Sequence, residues 1–174
     1  MSLEDENGSS LIELIMVMSF LILFGYTIFS LIYTGSDALN KIEDEKNAQV
    51  NARIAMSYLN VRLRQNDATD SVAVEANSVN GQNSVVLKYR DPEDPSSDYD
   101  TWIFWADGIL QEVLSDPGEE PEWSGSNEIV EVKSYDVDLS ENGVLTNTIK
   151  YTYNNEEKTM SSAISLRSWK GEKR

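Results

Sequence analysis

An uncharged apolar run from Leu14 to Ile32 is the feature that most limits what this chain can fold into. As an α-helix, the run is about 28 Å long at ~1.5 Å per residue, which matches the hydrocarbon core of a bilayer. Ser19, Gly25 and other small residues interrupt it, and such residues let helices approach closely in lipid. The run therefore predicts one membrane-spanning helix near the N-terminus.

The residues before this run do not have the character of a cleaved secretory signal. The first eight residues include Glu4, Asp5 and Glu6 but no lysine or arginine, whereas the start of a secretory signal is positively charged. The apolar run is also longer than that of a usual signal, and no A-x-A-like cleavage site follows it. We therefore predict that the helix is retained as a membrane helix.

The stretch "GSSLIEL", which begins at Gly8, resembles the class III signal of type IV prepilins and pseudopilins. In that family a glycine precedes the cut, four mostly apolar residues follow, and then come a glutamate and a long apolar helix. The resemblance implies cleavage after Gly8, N-methylation of the new N-terminal Ser9, and a role in subunit assembly for Glu13. Two departures from the family pattern are the acidic leader and Ser9 in place of the commoner phenylalanine.

The same resemblance implies a structural function: a minor pilin or pseudopilin of a type IV filament, secretion or DNA-uptake machine. Its implied partners are a prepilin peptidase, other pilin subunits and the membrane. Its implied location is the cell membrane, with the head outside, and an extracellular filament. Two alternatives remain from the residues themselves, namely an uncleaved single-pass membrane-anchored extracellular binding module and an anchored hydrolase that uses carboxylates alone.

Composition argues against most enzyme classes. The chain contains no histidine and no cysteine, which removes the commonest general base, the commonest metal ligand and every Ser-His-Asp or Cys-His system. It also lacks a P-loop motif and a dinucleotide-binding glycine motif. We therefore predict no enzymatic activity, no cofactor and no metal. The net charge of -16 predicts no direct binding of nucleic acid.

A second helical stretch follows the membrane run. Apolar residues recur there at steps of three and four, and we predict that they form the buried stripe of an amphipathic helix; they are Leu39, Ile42, Val50, Ile54, Tyr58 and Val61. Gly35 is a candidate joint between the two halves. A continuous, bent helix is the preferred interpretation, and two separate helices are the alternative.

From residue 71 onward, short β-branched and aromatic runs alternate with turn dipeptides such as Asn80-Gly81, Asp107-Gly108 and Asn154-Asn155. They predict an antiparallel sheet of about five to seven strands that packs on the second half of the helix, giving an α+β, pilin-like fold. The predicted organisation is a leader (1–8), a transmembrane assembly helix (9–35), an amphipathic second half (36–70) and a β-rich head (71–174). The stretch from "NARIAM" to "ILQEV" also resembles prepilin-like proteins of Gram-positive anaerobes.

Several further side chains are candidates for binding. The carboxylates between Asp91 and Asp100 have the chemistry of a calcium site, but their spacing does not fit an EF-hand, so a solvated acidic loop is the preferred interpretation. Trp123 is a candidate for contact with a neighbouring molecule. Arg62, Arg64 and Lys41 are expected to form surface ion pairs. The basic C-terminus, "RSWKGEKR", is either a frayed tail or a contact with the acidic body of a next subunit.

Overall fold

The computed structural model describes residues 5–68, 70–79 and 81–166, with side chains from residue 11 onward except 77 and 79. Within these residues, one α-helix precedes eight β-strands. The helix is α1 (Asp5–Gln65), and the strands are β1 (Val72–Val79), β2 (Gln82–Tyr89), β3 (Tyr99–Ala106), β4 (Ile109–Ser115), β5 (Asn127–Glu131), β6 (Ser134–Leu139), β7 (Val144–Tyr153) and β8 (Glu156–Ser165). Two single 3₁₀ turns are Pro95–Ser97 and Trp123–Gly125.

The helix α1 is one element of 61 residues, which confirms the continuous helix and excludes two separate ones. Gly35, the candidate joint, lies inside it. No proline occurs in the segment, and Arg62 and Arg64 in the last turn complement the negative end of the helix dipole. By its contacts the chain divides into two units, Met1–Asp44 and Glu45–Arg174, and each is described by itself.

Two antiparallel sheets, rather than one, form the β-rich part. The larger sheet has five strands in the order β1-β2-β3-β4-β5, and the smaller has three in the order β6-β7-β8. The predicted range of five to seven strands in one sheet was therefore wrong, because the run "EIVEVKSYDVDL" is divided at Val132. There the backbone N–H of Val132 donates to Gly108, its carbonyl accepts from Trp105, and the chain passes from one sheet to the other.

The core lies between the inner faces of both sheets and the second half of α1. The helix contributes Ala52, Ala55, Met56, Leu59 and Leu63, all buried. The sheets contribute the buried side chains Val85, Leu87, Ile103, Leu110, Tyr135, Val137, Leu145 and Ile149. Since a helix and two sheets thus share one apolar interior, the α+β class that the sequence predicts is confirmed.

A second, smaller cluster covers the outer face of the five-stranded sheet. Val86, Trp102, Phe104 and Val113 point away from α1, and Trp123 packs on them from its loop. The ring of Trp123 meets Trp102 and Phe104 edge to face, at centroid distances of 5.8 and 4.9 Å. Trp123 therefore closes its own sheet face while remaining half-buried, and its contact with a neighbouring molecule stays a prediction.

Tight turns at the predicted dipeptides set the strand pairing. Asp107 and Gly108 both have positive φ (52° and 86°) between β3 and β4. Asn154 and Asn155 (54° and 57°) do the same between β7 and β8. Two consecutive positive φ angles give a turn whose twist matches that of antiparallel strands, which is why Asn, Asp and Gly predict these hairpins correctly.

Candidate functional site

The first half of α1 is an apolar surface without internal contacts. Every large apolar side chain from Leu11 to Tyr33 is exposed, and Leu31, for example, is 75% exposed. The helix contains one segment long and apolar enough to cross a membrane, with a mean hydropathy of 2.3. An uncovered apolar surface of this extent is stable only against lipid or other protein, so it is consistent with a single-pass membrane anchor.

Two hydroxyl groups within this segment are satisfied by the helix itself. Ser19 Oγ donates to the carbonyl of Ile15 at 2.8 Å, and Thr27 Oγ1 donates to the carbonyl of Leu23 at 2.7 Å. Because each bond reaches back four residues to a helix carbonyl, neither of these two hydroxyl donors is left without an acceptor in hydrocarbon. The two polar residues are therefore compatible with the membrane-spanning role that the sequence predicts.

Glu13 stands at the start of this apolar segment. It lies in α1 and is exposed, and within the described part of the chain its carboxylate is not brought to any cation. Gly8 and Ser9 lie in the first turns of the same helix, and their side-chain surroundings, like leader residues 1–4, are outside the described residues. The structure thus places the three predicted residues on one helix, and their roles in cleavage, methylation and assembly stay predictions.

The second half of α1 has two apolar faces. The face on the sheets is formed by Ala52, Ala55, Met56, Leu59 and Leu63. The residues predicted to be buried lie on the other side and are exposed: Leu39 68%, Ile42 63%, Val50 43%, Ile54 47% and Val61 50%. The predicted stripe was therefore assigned to the wrong environment, and only Tyr58, at its edge, packs on the core.

The cause of this error is visible in the residue types. At about 100° per residue, the two faces are on opposite sides of the helix, and both satisfy steps of three and four. The buried face includes two alanines, whose small side chains let the helix lie close to the sheets. A search for large apolar residues favours the exposed face, which we call the outer stripe and define as Val50, Ile54 and Val61.

A polar network attaches α1 to β4. Tyr58 Oη donates a hydrogen bond to the carboxylate of Glu112. Arg62 Nε donates to Tyr58 Oη at 3.0 Å, and Arg62 Nη2 lies 2.8 Å from the same carboxylate. Burial and the neighbouring Glu112 raise the pKa of Tyr58 to about 12, since both disfavour the phenolate. The predicted ion pair of Arg62 is thus found, whereas Arg64 and Lys41 form none with another described residue. The sequence did not indicate the tyrosine at the centre of the network.

The acidic segment after β2 uses its carboxylates internally. Asp91 Oδ1 accepts the backbone N–H of Glu93 at 2.9 Å, and Asp94 Oδ1 accepts that of Ser96 at 3.1 Å. Asp98 Oδ1 accepts the N–H of Asp91 at 2.8 Å. These bonds, from backbone N–H groups to aspartate side chains, fold the loop into successive turns. Each bond also occupies one carboxylate oxygen that could otherwise bind a cation.

Asp100 is the only member of this acidic group that is fully buried, at 1% exposure. Its Oδ1 lies 2.7 Å from Arg90 Nη1, and its Oδ2 accepts the N–H of Gly118 at 2.9 Å. The carboxylate raises the pKa of Arg90, so the guanidinium stays charged beside it. Arg90 thereby supplies the positive charge that a buried carboxylate requires.

Millimolar calcium is expected to leave the melting temperature of the chain unchanged. One oxygen each of Asp91, Asp94 and Asp98 is already hydrogen-bonded, Asp100 is paired with Arg90, and no group of three acidic side chains is gathered as a metal site among the described residues. A ligand that binds only the native state raises the melting temperature as its concentration rises. Melting followed by near-UV circular dichroism, with magnesium as the control, tests this; a rise with calcium alone would show that a site exists.

The fold and these surfaces together define an α+β protein with one N-terminal helix long and apolar enough to span a membrane, and with polar clusters that hold its own elements in place. Comparison with known proteins adds a family. Residues 50–152 match the family described as a domain of unknown function, DUF4860, and the chain belongs to that family. No curated protein and no solved structure matches the chain. The matched region covers the end of α1, from Val50 onward, and most of the sheets, and does not include Gly8, Ser9 or Glu13.

Proposed function

We propose that this protein is a structural subunit, a minor pilin or pseudopilin, of a type IV filament, secretion or DNA-uptake machine. A prepilin peptidase cuts after Gly8 and methylates the amine of Ser9, and the leader stays in the cell. The mature subunit first resides in the membrane and then binds other subunits through α1. In the assembled filament, the carboxylate of Glu13 pairs with the N-terminal amine of an adjacent subunit. Its final location is an extracellular filament.

The observation that carries this proposal is the outer stripe. A helix that serves only to hold a head at the membrane has no use for a second apolar face beyond the bilayer. Yet Val50, Ile54 and Val61 remain between 43% and 50% exposed on a face that the sheets do not cover. Exposed apolar residues in a row are typical of contact surfaces, and helices of neighbouring subunits are partners whose shape fits such a row.

The N-terminal motif supplies the second support. A glycine, a glutamate five residues after it and an uncharged helix occur in one segment, and the glutamate needs an oppositely charged partner if it enters lipid. The alternative function, an uncleaved membrane-anchored binding module, requires neither the glycine nor the glutamate. Cleavage at Gly8 is therefore the observation that separates the two functions.

Gly8→Val is expected to block cleavage, because a branched side chain replaces the glycine next to the bond that the peptidase must hold in its cleft. Intact-mass and N-terminal peptide mass spectrometry of the membrane fraction should find a mature Ser9 terminus in the wild type and none in the variant. Asn7→Val is the matched control, with the same new side chain one residue away, and should be cut. If the wild-type chain keeps residues 1–8 beside a functional prepilin peptidase, the proposed function is wrong.

A further inference from the structure

Three of the four edge strands carry features that prevent pairing with another chain. β1 has a register shift between Glu75 and Val79. β5 has only five residues, and its pairing with β4 is also shifted. β6 has six residues, and the carbonyl of Val137 within it accepts a hydrogen bond from Asn83 Nδ2 at 2.9 Å. Bulges, short length and covered backbone groups are the usual means by which proteins protect sheet edges.

The fourth edge, β8, has none of these features. It pairs with β7 over ten consecutive positions without a register shift, and no third strand pairs with it in residues 5–68, 70–79 and 81–166. The part from Thr159 to Ser165, "TMSSAIS", contains no charge and no proline. A regular, uncharged strand edge of this length is a template for one more strand.

A groove runs beside this edge, between α1 and β8. One cavity of about 360 Å³ is lined by helix residues, among them Met56 and Val61, and by Met160 of β8. A second cavity, of about 500 Å³, is lined by Arg64, Asp67 and the consecutive residues 163–165. Because successive side chains of a strand point to opposite faces, a cavity touched by three in a row lies against the strand edge.

Two of the three charged residues that line the groove, Arg53, Arg64 and Asp67, are positive, in a chain that is acidic as a whole. Arg53 and Arg64 line it, are exposed, and make no ion pair with another described residue. The other charges nearby are already engaged: Asp67 has a partner, and Lys158 pairs with Glu156. In a chain of net charge -16, two uncommitted arginines at one apolar groove favour a ligand with carboxylates.

We propose that β8 and this groove bind an extended segment of another polypeptide by strand addition, and that the segment carries acidic side chains on either side of an apolar centre. Its backbone pairs with the free edge of β8. Alternate side chains enter the groove against Met56, Val61 and Met160, and its carboxylates meet Arg53 and Arg64. This binding surface adjoins the outer stripe and shares Val61 with it, whereas the edge of β8, Met160 and the two arginines belong to the groove alone.

Synthetic peptides as long as β8 test the proposal on the full chain in detergent micelles, by fluorescence anisotropy. One peptide alternates valine and threonine with a glutamate at each end, and its matched control has lysine at each end. The net charge of the protein favours the lysine peptide, whereas the groove favours the glutamate peptide. Tighter binding of the glutamate peptide, by about tenfold or more, is expected; equal binding or preference for lysine would overturn the proposal.

Backbone methylation separates strand addition from charge attraction. N-methylation of alternate residues on one edge of the glutamate peptide removes donors without changing side chains, and one of the two alternating patterns should weaken binding by about fivefold or more. Arg53→Glu with Arg64→Glu should reverse the peptide preference, and Lys46→Glu, an exposed change on the same helix, should not. If neither methylation pattern matters, strand addition is excluded.

The chain's own C-terminal residues are the competing occupant. Removal of residues 167–174, which follow β8 directly, should leave the affinity for the glutamate peptide unchanged. An affinity that rises about tenfold on this truncation would mean that the surface serves the protein's own tail, and would overturn the proposal of an external partner.

Discussion

Glu13→Ala is expected to be cut normally after Gly8 and to enter filaments at no more than about a tenth of the wild-type amount. Cleavage would leave a positively charged amine on Ser9 near the edge of the bilayer. A carboxylate in lipid costs about 2.5–3.5 kcal/mol at the centre of a helix and less near the interface, and a partner of opposite charge offsets that cost. Pairing between neighbouring subunits would therefore set their axial register, which apolar side chains cannot do.

Separate measurements of cleavage and assembly keep this prediction distinct from a general loss of the protein. Mass spectrometry of the membrane fraction reports cleavage, and quantification of the subunit in sheared filaments reports assembly. Glu13→Asp keeps the charge on a shorter side chain and should assemble better than Glu13→Ala. Wild-type assembly of Glu13→Ala would show that the carboxylate reaches the headgroups without a partner, and the pairing would be wrong.

The parts of the fold that could be predicted from sequence depend on local rules. The uncharged run from Leu14 to Ile32 predicts an exposed apolar helix because its composition leaves no other environment. Asp107-Gly108 and Asn154-Asn155 predict hairpins because few residues adopt positive φ without strain. In both cases the cause lies within a few residues, so no knowledge of distant contacts is needed.

The parts that could not be predicted depend on partners distant in the chain. Val132 divides one apolar run into two strands of different sheets, because Gly108 and Trp105 bind its backbone from another hairpin. Tyr58 belongs by spacing to an apolar stripe, yet its hydroxyl is bound to Glu112, 54 residues later. Trp123 stands in a polar loop and still covers Trp102 and Phe104. Periodicity contains no information about any of these contacts.

The residues of the candidate site divide in the same way, into those recognisable from local sequence and those that depend on distant contacts. Gly8, Ser9 and Glu13 are recognisable from a short motif, and their predicted roles concern molecules outside the chain. The outer stripe was seen in the sequence but was assigned to the core, because periodicity reports that a face is apolar and does not report what covers it. The β8 edge gave no sequence signal, since its regularity is apparent only beside the shifted β1 and the short β5.

The two faces of α1 are expected to respond in opposite ways to the same kind of truncation. Leu59 is fully buried, so Leu59→Ala should lower the free energy of unfolding by about 2–5 kcal/mol through lost burial and the cavity left behind. Ile54, five residues before Leu59, is 47% exposed on the outer stripe. Ile54→Ala should therefore lower the free energy of unfolding by less than about 1 kcal/mol. Urea unfolding of both variants in the same detergent provides the comparison.

Assembly should show the reverse order. Ile54→Ala is expected to reduce the subunit recovered in filaments several-fold while the folded chain stays intact, because in the proposed filament a neighbouring subunit would cover the stripe. Val50→Ala, on the same stripe, should act in the same direction. Asn51→Ala, at a position on the flank of the helix between the two apolar faces, is the control and should change neither quantity. If Ile54→Ala unfolds the chain as readily as Leu59→Ala, the stripe belongs to the core after all; if it neither unfolds nor impairs assembly, the stripe has no partner and the observation that carries the proposed function is lost.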